Sequence, residues 1–250
     1  MMLEIFSLKH FPIIKEDDNV AQEILKSVKM SNLEIKNGDI LVMAQTIISR
    51  AEGKIVKLDE INPSEFAIEL AKQSNKDPKH VEMILREAKN ICKNRNGVLI
   101  TETKHGFVCA NSGIDRSNVP GENALSLLPD NSDNSAKEIR KYIKKQVGKD
   151  VAVIISDTHN RPFRLGAINI AIGCSGINPI KSYLNETDLF GYTLKSSTIS
   201  IADQLCSAAG LIMGEAKEGT PVIVIRGYNF SKKEINAKTL IRPAERDYFR

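Results

Sequence analysis

The sequence predicts a mixed α+β fold, and three observations support this prediction. Strand-like and helix-like stretches are interspersed, but they do not alternate strictly as they do in doubly wound proteins. Two stretches, VAVIIS (151–156) and PVIVIRG (221–227), are apolar almost throughout, which is typical of strands buried on both faces. The composition, 42% hydrophobic and 26% charged over 250 residues, is that of a globular chain forming one large domain or two small ones.

Three further strands are predicted in the first quarter of the chain. MMLEIFSLKHFPII (1–14) reads as a first strand rather than a signal peptide, because Glu4 interrupts its apolar residues and no cationic flank precedes them. GDILVMAQTII (38–48) follows a turn and is rich in apolar residues, so it is expected to be a buried strand. IVKL (55–58) is a short strand candidate.

Two helices and a hairpin are predicted next. Ser64 is expected to cap one helix, and Pro78 to open a second that runs to a stop at NRNG (94–97). VLITET (98–103) and GFVCAN (106–111) are β-like and separated by two residues, which indicates a hairpin.

The second half alternates turn-rich and apolar stretches. A loop is expected at 112–123, a helix near 134–147, and a polar loop, DTHNRPFRLG, at 157–166. INIAIGCSGINPI (168–180) is apolar with glycines and is expected to form a strand with a tight turn. Apolar residues of 200–213 trace one helical face.

Composition narrows the possible functions. No run approaches the roughly 18 apolar residues of a membrane span, and a net charge of +4 without a Lys/Arg cluster gives no support for nucleic-acid binding. The default is a cytosolic protein.

His80 and His105 are expected to be exposed. No CxxC pair occurs, so buried free thiols are expected for the cysteines, which are Cys92, Cys109, Cys174 and Cys206.

The segment after VAVIIS carries the richest chemistry. A buried strand delivers Asp157 and Thr158 at its end, and their oxygens suit Mg²⁺ or Mn²⁺. Arg161 and Arg164 follow closely and are candidates for gripping phosphate or carboxylate groups. A surface loop in which Asp and Arg simply pair with each other is the alternative, and residue types alone leave both open.

Three weaker candidates accompany it, while the usual phosphate-loop, dinucleotide, zincin and hydrolase motifs are absent. Asp115, in the loop GIDRSN, is either a ligand or the centre of an Asx-turn, and Asn118 is a candidate contact to a base or ribose. Glu215, in MGEAKEGT, is either a ligand or a solvated carboxylate after a helix end. FPIIK (11–15) is a Pro-bearing loop or strand end.

Read together and in order, these pieces closely resemble the coenzyme F420:L-glutamate ligase family, also called F420-0:gamma-glutamyl ligase. The resemblance covers roughly residues 5–230, and the ordered set is far more specific than any one motif. The length matches the stand-alone archaeal form, without a C-terminal nitroreductase-like domain. The motifs are FPII, TIISRAEGK, NSGIDRSN, SDTHNRPFRLG with AIGCSG, and ADQL followed by LIMGE.

This resemblance implies an activity and an assembly. Family members use GTP and one or two divalent ions, Mg²⁺ or Mn²⁺, with K⁺ as a further candidate ion, to add L-glutamate to F420-0 and then a γ-linked glutamate. The implied route is an acyl phosphate, with GDP and phosphate released. The implied fold is a family-specific mixed α/β unit covering 1–250, with two subdomains as an open alternative. Two such subunits intertwine as a cytoplasmic homodimer that needs no membrane or nucleic acid.

Site residues carry over by motif. The resemblance makes Asp115, Asp157 and Glu215 catalytic metal ligands, with Thr158 as a fourth ligand. Arg50 stands where lysine is common, and Asn160 where glycine is usual in the motif. The expected nucleotide contacts are Phe11, Pro12, Ile13, Ile14, Gln45, Arg50, Asn118, Met213, Gly214, Glu215, Ala216, Lys217, Glu218, Gly219 and Thr220.

Other functions remain compatible with the residues. The same acidic cluster suits an amide ligase with another carboxylate acceptor, or a metal-dependent phosphohydrolase. A non-catalytic nucleotide-binding regulator is a third class, but it would not need every metal ligand. Dependence of phosphate release on glutamate and an acceptor acid separates these possibilities.

Overall fold

A mixed α+β architecture is observed, as the sequence predicts. The computed structural model describes residues 2–121 and 123–247. The helices are α1 (Val20–Met30), α2 (Gln45–Ala51), α3 (Glu65–Ser74), α4 (Pro78–Glu87), α5 (Ser132–Val147) and α6 (Ile201–Met213). The strands are β1 (Glu4–Ser7), β2 (Ile40–Ala44), β3 (Ile55–Lys57), β4 (Ala88–Arg95), β5 (Val98–Thr103), β6 (Val108–Ala110), β7 (Ala124–Ser126), β8 (Ala152–Arg161), β9 (Arg164–Ser175), β10 (Ile180–Ser182), β11 (Thr198–Ser200) and β12 (Val222–Arg226).

The centre of the fold is a five-stranded sheet with the order β1-β12-β2-β8-β9. Only β2 and β8 run parallel within it, and the other neighbours are antiparallel. Residues 40–43 of β2 are fully buried and alternate between two hydrophobic clusters, one on each face. Helices α1 and α5 cover one face and α6 covers the other. The sheet is therefore a buried layer, as the continuous apolar strands predict.

A third hydrophobic cluster forms outside this sheet. It gathers apolar residues of α3 and α4 with Leu99 of β5. Strands β4, β5 and β6 form an antiparallel sheet beside these helices, while β3 pairs with β7 and β10 with β11. No helix in the described ranges is long and apolar enough to cross a membrane.

Local capping explains why several predicted helices begin where they do. Ser64 accepts a hydrogen bond from the Ala67 N–H, and Asp77 accepts one from the Lys79 N–H, which satisfies amides that the helix itself leaves unpaired. Asn19 caps α1 in the same way through the Gln22 N–H, although no element was predicted for residues 16–37.

The predicted loop at 157–166 is wrong. Strand β8 continues to Arg161 and β9 begins at Arg164, so these residues form the end of a long hairpin. Phe163 lies at the turn with a φ of 62°. This end of the hairpin extends beyond the hydrophobic core, so neither of its faces is lined by buried apolar residues. Its sequence therefore lacks the alternation of apolar and polar residues by which a strand is predicted.

Two predicted boundaries are also wrong. Helix α4 ends at Glu87, and Ala88–Arg95 forms an exposed edge strand whose lysines and asparagines hide its strand character. Strand β2 ends at Ala44, where α2 begins without a side-chain cap, so the sequence gives no signal of the change.

Two expectations about single residues need correction. His80 is buried rather than exposed, at 9% exposure on α4, while His105 is partly buried. Cys92 is exposed rather than buried, on the edge strand β4. The other three cysteines are buried free thiols, as predicted.

Candidate functional site

A pocket of about 730 Å³ lies at the carboxyl end of β2, beside residues 156–160 of the parallel strand β8, which continue past the end of β2. Such strand ends are common places for ligand sites in α/β proteins, because the loops that follow them converge there. Here the pocket wall also includes the loop after α6, the N-terminal loop around Phe11 and the loop that carries Asp115. The five segments that the sequence motifs single out are thus brought together.

All four predicted metal ligands line this pocket. Thr158 Oγ donates a hydrogen bond to Glu215 Oε1 at 2.8 Å, which joins the end of β8 to the loop after α6. The Asp157 carboxylate, 14% exposed, lies 2.8 Å from His159 Nε2. Asp115 lines the pocket and forms the Asx-turn, accepting from the Ser117 N–H and hydroxyl at 2.8 and 2.6 Å. Its role as a metal ligand stays a prediction.

The donor chemistry of these residues fits a divalent ion. Carboxylate and hydroxyl oxygens are hard ligands of the kind that Mg²⁺ and Mn²⁺ prefer. Burial raises the pKa of the nearby Cys109 to about 12, so this thiol is protonated at neutral pH when no metal is bound. Within residues 2–121 and 123–247, no three His, Cys, Asp or Glu side chains lie close enough to hold an ion by themselves. A bound ion would therefore also need the Thr158 hydroxyl, solvent or substrate oxygens.

Arg50 supplies a cation beside the pocket. Its Nη2 donates to the backbone carbonyl of Asn118, while its Nε is buried and has no hydrogen-bond partner among the described residues. Burial lowers the pKa of Arg50. Asn111 Oδ1 in the same pocket is likewise buried without a partner. Unpaired buried polar groups are costly, and these two indicate that a polar ligand completes the site.

The loop after α6, residues 214–220, is stabilised by hydrogen bonds within itself and to the end of the helix. Gly214 takes a φ of 71°, and Glu218 Oε2 accepts from the Ala216 N–H at 2.8 Å. Thr220 Oγ donates to the carbonyl oxygens of Ile212 and Met213 at the helix end. The loop is thereby held against the pocket, and Lys217 adds a second, exposed cation to it.

Most predicted nucleotide contacts line the pocket, but one does not. Ile14 is only 2% exposed and packs in the hydrophobic core, whereas Ile13 is 76% exposed beside the pocket. The predicted contacts that do line it are Phe11, Pro12, Ile13, Gln45, Arg50, Asn118 and residues 213–220.

Arg161 and Arg164 lie elsewhere. They belong to the outer end of the β8–β9 hairpin and are not among the residues that line the pocket. Arg161 donates to the carbonyl oxygens of Leu165 and Gly166 and so stabilises the hairpin end.

Two functional candidates are absent from the sequence prediction. His159 is buried, contacts Asp157 and packs edge-on against Phe107. Asn169 lines the pocket and donates to Thr158 Oγ at 3.2 Å. Thr158 and Asn169 are partners across β8 and β9, and this register would have pointed to Asn169. A prediction that takes 157–166 as a loop contains no such register.

Fold and pocket together define the class as an α+β protein with an oxygen-rich site. The chain belongs to the F420-0:gamma-glutamyl ligase family, whose model matches residues 9–227. The resemblance in the ordered motifs is thereby confirmed, and with it the class of ligases.

Relatives match over nearly the whole chain. A protein named coenzyme F420:L-glutamate ligase from Methanocaldococcus jannaschii is 49% identical, over 99% of this chain and 97% of its own length. Proteins of the same name from Methanothermobacter thermautotrophicus and Archaeoglobus fulgidus are 40% and 38% identical, each over 100% of this chain and over 100% and 97% of their own lengths.

Proposed function

We propose that this protein is a GTP-dependent ligase that attaches L-glutamate to coenzyme F420-0 as an amide and then adds a γ-linked glutamate. Membership of the ligase family and the names of the full-length relatives support the substrate. The observation that carries the proposal is the convergence of Asp115, Asp157, Thr158 and Glu215 with Arg50 on one pocket. The substrates of such a reaction are anions, so their charge must be neutralised. The acidic residues would do this by holding a metal cation, and Arg50 would do it with its own positive charge.

The nucleotide is expected to bind with its phosphates between Arg50 and the acidic residues. The unpaired Arg50 Nε donates to a phosphate oxygen, which removes a buried unsatisfied donor. Phe11 and Ile13 offer apolar surface to the base. Asp157 and Glu215 with their neighbours would hold divalent ions, which would supply neutralisation of the phosphate charge. K⁺ is a further candidate ion at this site.

The expected chemistry has two displacements. A carboxylate oxygen of the acceptor attacks the γ-phosphorus of GTP, and GDP leaves with the electrons of the broken P–O bond. The amine of glutamate then attacks the resulting acyl phosphate, loses a proton, and expels inorganic phosphate as the amide forms. The protein contributes by positioning the carboxylate and by stabilising charge, as phosphoryl transfer generally requires.

We further propose a cytoplasmic homodimer that acts on small molecules and needs neither nucleic acid nor a membrane. The support for the dimer is apolar surface at two places on the chain. Phe163 and Leu165 at the hairpin end are 90% and 100% exposed, and Leu189 and Phe190 are 97% and 96% exposed. Exposed apolar side chains grouped in this way are typical of subunit interfaces.

The direct test is an incubation of the protein with GTP, Mn²⁺ or Mg²⁺, L-glutamate and F420-0, followed by mass spectrometry. One or more glutamyl units added to the deazaflavin, with GDP formed in step, is the expected result. Turnover of GTP without glutamylation would instead indicate another acceptor or a phosphohydrolase. Binding of GTP without turnover would indicate a regulator.

Arg50 gives this test a second readout. In Arg50→Gln, which lacks the charge, GTP affinity is expected to fall by about tenfold or more, as the loss of a charge-assisted hydrogen bond implies. Arg50→Lys keeps the charge but not the fork, so its affinity should be intermediate. Equal GTP binding by wild type and Arg50→Gln would remove Arg50 from the phosphate site.

A further inference from the structure

The Thr158 hydroxyl lies in the middle of a hydrogen-bond chain that crosses three parts of the fold. It donates to Glu215 Oε1 at 2.8 Å, and Asn169 Nδ2 donates to it at 3.2 Å. Thr158 and Asn169 are direct partners across β8 and β9. Sheet register therefore places the amide of one strand beside the hydroxyl of the next.

The directions of these hydrogen bonds follow from the groups themselves. An ionised carboxylate only accepts, so the single proton of the Thr158 hydroxyl must point to Glu215. The hydroxyl oxygen must then accept from Asn169, and within an amide only the nitrogen donates. One of the two lone pairs of the Thr158 oxygen is thus used by Asn169, and the other remains available to a cation.

Gly210 provides the space in which Asn169 sits. It belongs to α6, where glycine lowers helix stability relative to alanine. A Cβ at Gly210 would lie 2.1 Å from Asn169 Oδ1 and 2.8 Å from its Cγ, distances that real Cβ atoms do not show. The helix also holds β9 through Ser207 Oγ, which donates to the Asn169 carbonyl oxygen at 2.9 Å.

Helix α6 also leads to Glu215, whose carboxylate ends the hydrogen-bond chain opposite Asn169. Met213 is its last residue, and Glu215 follows in the loop. The close approach of α6 at Gly210 therefore sets both the position of Asn169 and the distance over which Glu215 reaches Thr158.

We propose that Asn169, packed against Gly210, is a positioning residue that fixes the Thr158 hydroxyl with its free lone pair toward a divalent cation. Because that cation is part of the proposed function, the inference rests on it. Neither Asn169 nor Gly210 is among the residues that the motifs suggest for the site. Partners that orient a ligand in this way typically change metal affinity by about 10–100-fold when they are removed.

The first measurement is a titration of the substrate-free protein with Mn²⁺. Electron paramagnetic resonance measures the concentration of free Mn²⁺ at each step. Asn169→Ala is expected to bind Mn²⁺ about tenfold or more weakly than wild type. Ser207→Ala is the matched control, because it removes the hydrogen bond from α6 to the Asn169 carbonyl oxygen and leaves the side-chain amide in place. The Mn²⁺ affinity of Ser207→Ala should stay within about twofold of wild type, which is small beside the roughly tenfold loss expected for Asn169→Ala.

The second measurement is a double-mutant cycle with Gly210→Ala. In the wild-type background the added methyl displaces Asn169, so both Mn²⁺ affinity and the melting temperature should fall. In the Asn169→Ala background the nearest obstructing atoms are gone, so Gly210→Ala should leave Mn²⁺ affinity unchanged and raise the melting temperature through helix propensity. A merely structural role for Asn169 predicts no such coupling in Mn²⁺ affinity.

The outcomes separate the inference from the function on which it rests. A wild-type protein that binds Mn²⁺ neither alone nor as the Mn²⁺–GTP complex would overturn the proposed metal site and the inference with it. Wild type and Asn169→Ala binding Mn²⁺ equally well would overturn the inference alone, as would additive effects of Gly210→Ala and Asn169→Ala on Mn²⁺ affinity.

Discussion

At the scale of single residues, Asp157 on the central strand β8 places its carboxylate 2.8 Å from the buried imidazole of His159. Asp157→Asn keeps the volume and can still hydrogen-bond to His159, but it removes the charge that would hold a cation. We expect glutamylation to fall by at least about 100-fold, the upper end for lost metal-site interactions. The melting temperature should stay near that of wild type, because the substitution keeps the side-chain volume and a hydrogen bond to His159.

The exposed Asp59 offers a matched control for this change. Asp59→Asn removes an equal charge outside the pocket, and it should leave both activity and stability unchanged. An Asp157→Asn protein that glutamylates at the wild-type rate would sink the metal-ligand assignment.

His80 makes stability depend on pH. Burial lowers the pKa of His80, Lys76 and Arg116 act in the same direction, and Asp77 opposes them. The unfolded chain, in which His has a pKa of about 6.5, then binds more protons than the folded chain, so this contribution to stability falls as the pH drops below about 6.5.

Urea unfolding at pH 7.5 and 5.5 measures this effect. His80→Gln should lose less stability than wild type between the two pH values, because its side chain does not titrate. His10 is exposed and has a φ of 58°, so His10→Asn, which tolerates that backbone, is the control and should keep the wild-type difference. An unchanged pH dependence in His80→Gln would contradict the assignment.

At the scale of elements, the core strands β2, β5, β8 and β12 were predictable, whereas the exposed strand β4 and the outer end of the β8–β9 hairpin were not. β5, β8 and β12 have core faces that impose apolar sequences, so their positions follow from hydrophobicity. β4 and the outer end of the β8–β9 hairpin pair their backbones without a buried face, and backbone pairing leaves no mark on side-chain composition.

The same distinction applies to the site. Asp157 and Thr158 were singled out because they directly follow the apolar run VAVIIS, and Asp115 and Glu215 needed the ordered motifs as well. Asn169 was not found because its place depends on strand register, which the sequence does not reveal once a hairpin arm is taken for a loop.

Gly173 tests how α5 docks on the sheet. This glycine lies in β9, and a Cβ there would meet the backbone carbonyl carbon of Ser132 at 2.4 Å. Asp133 reinforces the contact by accepting from the Cys174 N–H at 2.8 Å. Gly173→Ala is therefore expected to destabilise the protein by about 1–3 kcal/mol through overpacking, measured by urea unfolding.

A second glycine separates the steric effect from glycine loss in general. Gly148 follows α5 with a φ of 68°, and no atom lies within 4 Å of an added Cβ. Gly148→Asn keeps a residue that tolerates this backbone and should cost less than Gly173→Ala. Equal costs at the two positions would show that the contact with Ser132 is not the cause.

At the scale of the whole molecule, the exposed hairpin end tests the proposed dimer. Replacing Phe163 and Leu165 together by serine removes apolar surface that is 90% and 100% exposed in the single chain. Sedimentation velocity should show a shift from dimer toward monomer. Phe66, 62% exposed on α3, provides the control, and Phe66→Ser should sediment as wild type. A double variant that remains fully dimeric would place the interface elsewhere.

The strand order also constrains when the molecule can fold. β12, near the end of the chain, lies between β1 and β2, which come first. Glu4 pairs with Arg226, and Val42 pairs with Ile223. While the chain emerges from the ribosome, β1 therefore has no neighbour in its sheet and β2 has one open edge until residue 226 has been synthesised. Such long-range pairing slows folding and leaves strand edges exposed to aggregation, so the nascent chain is expected to be most prone to aggregate before β12 is complete.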